Sequence, residues 1–309
     1  MGSVGVTHPL VSAARIARFT AVMYKPHYLL YGVLWVLALE GTASLVTRPD
    51  SAWRPTWSTV VRIVVVAFVL LYLRMVDEQK DLEYDRVHNP DRPLVTGAVS
   101  AVELRVAMGL IAIGAITASL ALSVGSAVMI TVAMAYGLVL WGLERLFAVV
   151  RTNILINLIV TYPVQLLVTG YIVVSAIDTG EVRAHWQAAA VAGIFAGAFL
   201  QFEFARKTSR ERRPDALLYS NALGATGSIA ASLLCAVAGV LCDLLLVRPW
   251  DYSPPSSLLA WLPVALLLIP AFGALQFHRS GRTDYPPLPA VVFILALYLT
   301  LIGQALTLP

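Results

Sequence analysis

A dense acidic segment follows the apolar run 60–76, with five carboxylates in the nine residues 77–85. Asp77, Asp81 and Asp85 recur one helical turn apart, so a continuous helix would carry them as a single stripe. Like charges at this spacing repel each other and destabilise a helix. A divalent cation removes that repulsion, because hard ions such as Mg²⁺ take carboxylate oxygens as ligands. The segment therefore predicts either a metal site or a solvated acidic loop.

A second charged cluster, later in the chain, contains Glu203, Arg206 and Lys207. Glu203 and Lys207 stand one helical turn apart, and such residues can simply pair with each other on a helix. Alternatively, Glu203 holds a second metal ion while Arg206 and Lys207 bind an anion. Guanidinium groups match phosphate oxygens, so phosphate or diphosphate is the anion that this composition favours.

The composition places both clusters in a membrane protein. Hydrophobic residues make up 59% of the 309 residues and charged residues only 13%, about half the usual share in a soluble domain. The mean hydropathy is +0.77. A net charge of +4 then reports a bias among the loops, not nucleic-acid binding.

Nine apolar runs are long enough to span a bilayer. They lie near 27–46, 57–76, 99–121, 125–147, 152–175, 186–205, 218–246, 257–276 and 287–307. We expect a segment 1–26 on the cytoplasmic membrane surface, including an amphipathic helix, followed by one nine-helix domain, 27–309. With the N-terminus in the cytoplasm, 17 of the 22 Lys and Arg residues fall on the inner side, as the positive-inside rule requires. Both charged clusters then face the cytoplasm.

The acidic segment resembles the N-D-x-x-D-x-x-x-D signature of the UbiA superfamily of intramembrane prenyltransferases. In this register Asp77 takes the place of Asn and Glu78 that of the first Asp, while Asp81 and Asp85 match the other two. The sequence 90–97, PDRPLVTG, is similar to the P-x-R-P-L-x-x-G continuation of that family.

Two later segments carry weaker matches to the same family. The second cluster lies where the family has a D-x-x-x-D motif, but here Glu203 is its one carboxylate and Lys207 takes the other position. Glu144-Arg145, Asn153 and Pro163 are similar to a K-R…N…P pattern, with Glu144 in place of Lys.

The resemblance implies an all-α bundle of nine transmembrane helices around a central cavity, and a Mg²⁺-dependent reaction of a polyprenyl diphosphate. The lipid bilayer and the prenyl diphosphate are the expected partners, and nucleic acid is not. The implied metal ligands, of which Asp81, Asp85 and Glu203 are also the catalytic candidates, are Asp77, Glu78, Asp81, Asp85 and Glu203. The candidate substrate-binding residues are Arg74, Arg92, Arg145, Asn153, Arg206, Lys207 and Tyr219.

Three functions stay open from the sequence. In a prenyltransferase, ionisation of the diphosphate is followed by transfer of the prenyl group to an acceptor. In a membrane terpene cyclase, the same cation attacks its own double bonds. An ion-coupled transporter would instead need ionisable residues near the middle of the bilayer on several helices. Glu40 is the carboxylate that the hydropathy pattern places deep in a span, where it is either functional or protonated and hydrogen-bonded.

Overall fold

The computed structural model describes residues 9–214 and 216–308, and helices dominate this part of the chain. The first eight helices are α1 (Pro9–Met23), α2 (Pro26–Thr47), α3 (Trp57–Lys80), α4 (Leu82–His88), α5 (Ala101–Leu120), α6 (Val124–Leu146), α7 (Ala148–Thr152) and α8 (Ile154–Thr161). The other seven are α9 (Pro163–Asp178), α10 (Trp186–Ala190), α11 (Ala192–Arg206), α12 (Tyr219–Val247), α13 (Ser256–Leu266), α14 (Leu268–Arg279) and α15 (Pro287–Thr307). A short 3₁₀ turn covers Pro249–Asp251.

The prediction of nine spans is confirmed for the described part of the chain, which contains nine helical segments long and apolar enough to cross a membrane. The predicted ends agree within a few residues. Several of the described spans are divided into two helices. The helix α8 gives way to α9 at Tyr162, because Pro163 has no N–H to continue the helical ladder, α10 gives way to α11 at Val191, and α13 gives way to α14 at Leu267.

The helices form two groups that meet in the middle of the molecule. The helices α3, α5, α6 and α9 pack together. In the second group, α11, α13 and α14 pack against α15, and α12 packs against α11, α13 and α14. Between them, α2 contacts α3 and α9 on one side and α15 on the other. The core is therefore continuous, and it includes Trp35, Leu39, Phe195 and Tyr298, each almost fully buried.

The closest helix crossing joins α11 to α12 and depends on glycine. A Cβ added at Gly197 would lie 2.6 Å from the Cα and N atoms of Gly239, a distance that side chains do not tolerate. At the start of α12, Gly224 has φ +72°, so the helix turns sharply after its first turn. These glycines set the position of the charged end of α11 beside Tyr219, the first residue of α12.

The expected N-terminal amphipathic helix is present as α1, while residues 1–8 lie outside the described part of the chain. Phe19 is buried against the bundle, whereas Val11 and Val22 are about half exposed. Arg15 lies 3.8 Å from Glu103 at the start of α5, close in sequence to the acidic segment.

Candidate active site

The acidic segment lies at the end of α3, where the helix is interrupted at one residue. Asp81 has φ −91° and ψ 7°, so α3 ends at Lys80 and α4 begins at Leu82. The backbone bonds Asp81 N–H to Asp77 O (2.9 Å) and Asp85 N–H to Asp81 O (2.8 Å) persist across the break. The condition for a single stripe, a continuous helix, is therefore not met, and the environments of the carboxylates differ: Asp77 is half exposed, and Asp85 is buried.

Arginines neutralise the two buried carboxylates of this segment. Arg92 places Nη1 2.5 Å from Asp85 Oδ2 and 3.0 Å from Glu78 Oε1. Arg74 approaches the same Glu78 oxygen at 2.5 Å, so it pairs with Glu78 and not with Asp77. The amide of Asn89 donates to the other Asp85 oxygen at 2.8 Å. The turn 89–97 is thus held against the end of α3 by its own arginine.

Several oxygens of the segment stay open. Glu78 Oε2 is buried and has no hydrogen-bond partner among the described residues. The Asp81 carboxylate forms no hydrogen bond or ion pair with any other residue that the structure describes. Burial raises the pKa of Asp81 to about 6; Lys80 opposes this shift, and Asp77, Glu144 and Asp85 add to it. The charged form of such a carboxylate is stabilised strongly when a cation binds beside it.

A third group of charges links α3 to α6. Lys80 donates to Glu144 Oε1 at 3.0 Å and lies 3.3 Å from Asp77 Oδ1. The amide of Asn157, on α8, reaches the same Glu144 oxygen at 3.5 Å and donates to Val150 O at 3.1 Å. This group fixes the end of α6 and the start of α8 around the acidic segment.

The second cluster, at the end of α11, is organised around a single carboxylate. Arg206 Nη2 lies 2.6 Å from Glu203 Oε2, and Lys207 Nζ lies 2.8 Å from Oε1. The hydroxyl of Tyr219 donates to Oε1 at 3.4 Å, and Lys207 lies over the Tyr219 ring at 5.7 Å. The helical pairing of Glu203 with Lys207 is therefore present.

Helix α8 brings the two clusters together. Ile154, at its start, packs against Phe204 and Tyr219 of the second cluster. One turn later, Asn157 joins the Glu144 and Lys80 group of the first. The positive charge of Lys80 is also among the causes that lower the pKa of Lys207, behind burial and the charge of Arg206, while Glu203 opposes the shift. The clusters therefore face one another at the same end of the bundle.

Two of the predicted binding residues lie apart from these contacts. Arg145 is exposed at the end of α6. Asn153 is exposed, and its side-chain oxygen accepts from Leu155 N–H (3.0 Å) and Ile156 N–H (3.2 Å), which makes it the N-cap of α8. Its structural role there is to start the helix that joins the clusters.

Four contributors were not among the predicted site residues: Lys80, Asn89, Glu144 and Asn157. Lys80 and Asn89 stand inside the conspicuous charged segment, so their position in the sequence was a usable signal. The pairing of Glu144 with Lys80 depends on how α6 packs against α3, and no local pattern reveals it.

The donor set fits a metal ion that also takes ligands from a substrate. Among the described residues, no group of three or more His, Cys, Asp or Glu side chains is gathered closely enough to form a complete cage. Mg²⁺ does not need one, since it commonly binds through one or two carboxylates together with substrate phosphates and water. The orphaned Glu78 Oε2 and the unpaired Asp81 supply such carboxylates.

Beyond the charges, the interior between α2, α11 and α15 is lined by aromatic rings. The ring of Tyr298 lies 5.0 Å from that of Phe195 and 5.8 Å from that of Tyr31, centroid to centroid. Tyr31 also contacts Trp35, and Tyr162 contacts Phe199, one turn from Phe195. Trp35, Tyr31, Tyr298 and Phe195 thus form one connected group of rings in the interior.

The opposite end of the bundle carries a separate buried network. Glu40 accepts from Trp53 and Thr59 and pairs with Arg62 at 2.8 Å, while Arg62 also reaches Glu181 at 3.1 Å. Glu40 is therefore paired with a cation in a closed polar network. A cavity of about 640 Å³ also opens at this end, lined by residues such as Thr47, His185 and Arg248, and it includes none of the clustered carboxylates described above.

Comparisons with known proteins connect this architecture to one fold. No protein-family model and no curated protein matches the chain. A UbiA homologue from Aeropyrum pernix K1, solved without ligand, is 17% identical with a TM-score of 0.61, over 88% of this chain and 96% of that one. A digeranylgeranylglyceryl phosphate synthase is 14% identical with a TM-score of 0.58, over 96% and 100%.

A third solved structure, a UbiA homologue from Archaeoglobus fulgidus bound to GPP and Mg²⁺, is 15% identical with a TM-score of 0.57, over 91% of this chain and 97% of that one. All three likenesses extend over nearly the whole of both chains, so they concern the complete bundle and not a local helix pair. The protein therefore has the fold of the UbiA homologues.

Proposed function

We propose that this protein is an intramembrane prenyltransferase that uses Mg²⁺ to ionise a polyprenyl diphosphate and transfers the prenyl group to an acceptor. The observation that carries the proposal is the convergence of open carboxylate oxygens, at Glu78 and Asp81, with the cations of the second cluster at one end of an apolar bundle. Two solved structures of this fold that are bound to Mg²⁺ also hold GPP or DMAPP, which are prenyl diphosphates.

The first step is heterolysis of the bond between the prenyl C1 and the diphosphate oxygen. The electron pair leaves with the diphosphate, and an allylic cation remains. A bound Mg²⁺ supplies positive charge that stabilises the leaving group as negative charge accumulates on it. Glu78 and Asp81 are its first ligands in this proposal; Asp85 and Asp77 complete the acidic surface around them.

The basic residues bind the diphosphate and keep it in place after it leaves. Lys207 and Arg206 project from the end of α11, and Arg74 and Arg92 from the acidic side, so that cations flank the metal-binding oxygens on two sides. Guanidinium groups match diphosphate oxygens in geometry as well as in charge. Tyr219 holds Glu203 and thereby the orientation of Lys207.

The aromatic interior suits the other half of the substrate. An isoprenoid tail is apolar, and the rings of Tyr31, Phe195 and Tyr298 offer it both burial and electron-rich faces toward a cation. A nucleophilic atom of the acceptor then forms a bond to C1 and releases a proton. With the N-terminus in the cytoplasm, the charged end of the bundle opens to the cytoplasmic side.

A reaction with defined substrates tests the proposal and distinguishes a prenyltransferase from a terpene cyclase. Purified protein in detergent is incubated with geranyl, farnesyl and geranylgeranyl diphosphates, with and without Mg²⁺, and pyrophosphate and organic products are measured. Mg²⁺-dependent release that requires an added aromatic or lipid acceptor supports the transferase. Cyclic hydrocarbons formed without acceptor identify a terpene cyclase instead. Absence of metal-dependent turnover with every chain length and acceptor contradicts both.

A further inference from the structure

The two charged clusters differ in how their carboxylates are occupied. In the first cluster, Glu78 Oε2 and the whole Asp81 carboxylate have no hydrogen-bond or ion-pair partner in the described chain. In the second, both oxygens of Glu203 are engaged, Oε2 by Arg206 at 2.6 Å and Oε1 by Lys207 at 2.8 Å. A metal ion at Glu203 would have to displace a cation on either side.

The charge balance points the same way. Glu83 and Arg86 of the acidic segment are exposed, and their opposite charges cancel. The other four carboxylates of the segment and Glu144 on α6 face three cations, which leaves two negative charges, the charge that one divalent ion neutralises; these residues are Asp77, Glu78, Asp81, Asp85 and Glu144, with Arg74, Lys80 and Arg92. At the second cluster, one carboxylate faces the two cations Arg206 and Lys207, so the surplus is positive. A positive surplus repels a metal ion and attracts an anion.

The second motif therefore does not fit a metal ion. We propose that Lys207, positioned by Glu203, takes the place of a second metal ion as an anchor for the diphosphate, so that the protein binds a single divalent cation per active site. This inference rests on the proposed function of the same site.

The surroundings of Lys207 suit an ammonium that binds an anion. Its side chain is about one quarter exposed, with Glu203 below it and the Tyr219 ring 5.7 Å away. In such a partly dehydrated place, attraction between an ammonium and a diphosphate is stronger than in open water. Glu203 acts here as a positioning residue, because its Oε1 lies 2.8 Å from Lys207 Nζ and fixes the direction of that side chain.

The number of bound metal ions tests the inference directly. Purified protein in detergent is equilibrated with Mn²⁺ and geranyl S-thiolodiphosphate, an analogue that resists ionisation. Bound Mn²⁺ is counted after gel filtration at fixed free Mn²⁺, and the electron paramagnetic resonance spectrum reports whether two ions are coupled. We expect one uncoupled Mn²⁺ per chain. Two ions per chain with a coupled spectrum overturn the inference and leave the proposed function intact, whereas no binding of either probe overturns both.

Variants of Lys207 test its role as an anchor for the diphosphate. Lys207→Met should weaken binding of the analogue by about tenfold or more while the count stays at one, which corresponds to at least about 1.4 kcal/mol. Lys207→Arg should restore part of that affinity, and Arg212→Gln, at an exposed arginine of the same segment, should leave it unchanged. Lys207→Met with full affinity overturns the anchor role.

The positioning role of Glu203 is tested by analogue affinity and by the number of bound Mn²⁺ ions. Glu203→Gln should lower the affinity for the analogue and leave the number of bound Mn²⁺ ions at one per chain. If that number falls to zero, Glu203 is a metal ligand, and its positioning role is overturned. Lys207→Asp places two carboxylates one helical turn apart, so it should raise the count from one to two and introduce spin coupling. A count that stays at one in this variant contradicts the claim that the lysine displaces a metal.

Discussion

Arg92 lies directly on Asp85, with Nη1 2.5 Å from Oδ2, although seven residues and the end of α4 separate them in the chain. The same guanidinium nitrogen reaches Glu78 at 3.0 Å, so one arginine neutralises the two most deeply buried carboxylates of the site. The turn that follows α4 is therefore part of the acidic site and not a peripheral loop.

Arg92→Met should destabilise the protein as well as inactivate it. The change leaves Asp85 and part of the Glu78 charge buried without a cation, and breaking a buried ion pair in this way costs about 3–5 kcal/mol. We expect a clear fall in the melting temperature in detergent, together with loss of prenyl diphosphate turnover.

Arg86→Gln is the matched control, because Arg86 is exposed in the same segment and forms no ion pair in the part of the chain that the structure describes. It should melt like the parent protein. If Arg92→Met also melts like the parent, the arginine does not hold the acidic site together, and its role is confined to the substrate.

Asp81→Asn should remove metal-dependent turnover while leaving the fold intact. Within the described part of the chain, the Asp81 side chain makes no hydrogen bond or ion pair that the amide would lose. Burial also raises the pKa of Asp81 to about 6, so folding does not favour its negative charge. Loss of one preorganised charge at a developing leaving group commonly lowers the rate by about 100-fold or more. Pyrophosphate release over a Mg²⁺ titration measures the effect.

Glu83→Gln provides the comparison, since Glu83 belongs to the same acidic run but is exposed on α4. It should retain near-parental turnover and metal dependence. Near-normal activity of Asp81→Asn at ordinary Mg²⁺ concentrations would show that the metal ligands have been assigned to the wrong carboxylates.

The sequence predicted the fold better than it predicted the site contacts. Long apolar runs can be buried only as membrane-spanning helices, so the nine spans follow from hydropathy. The break at Asp81 and the pairing of Arg92 with Asp85 depend on the path of the turn 89–97, which charge spacing does not encode. The pairs Lys80–Glu144 and Glu40–Arg62 join different helices, and only tertiary packing brings them together.

The aromatic ring of Tyr298 should contribute more to the rate of ionisation than its hydroxyl group does. Tyr298 is fully buried and its ring contacts those of Phe195 and Tyr31, so it belongs to the interior region where the proposed prenyl cation forms. Cation–π contacts contribute about 0.5–2 kcal/mol, so Tyr298→Leu should slow ionisation by roughly 2- to 30-fold. Tyr298→Phe keeps the ring and should stay close to the parent. Equal turnover of both variants, measured in single-turnover experiments, would remove this ring from the reaction.

Arg62 and Glu40 should support stability without taking part in the chemistry. Both are fully buried, and Arg62 lies sixteen residues before Glu78 on α3, or about 24 Å along the helix axis. Arg62→Met leaves Glu40 and Glu181 without their cation and should destabilise the protein by about 3–5 kcal/mol. Because the partners share one network, Glu40→Gln combined with Arg62→Met should cost clearly less than the sum of the two single changes.

Denaturation of all three variants in detergent gives this double-mutant cycle, and turnover below the melting transition gives the second readout. Arg54→Gln is the control, because Arg54 lies at the same end but, among the residues that the structure describes, its side chain bonds only to the backbone carbonyls of Trp53 and Leu306. Parental turnover of folded Arg62→Met would agree with a purely structural pair. A selective loss of turnover in the folded variant would instead give this network a role in the reaction or in moving an ion. That result would favour the alternative function, an ion-coupled transporter.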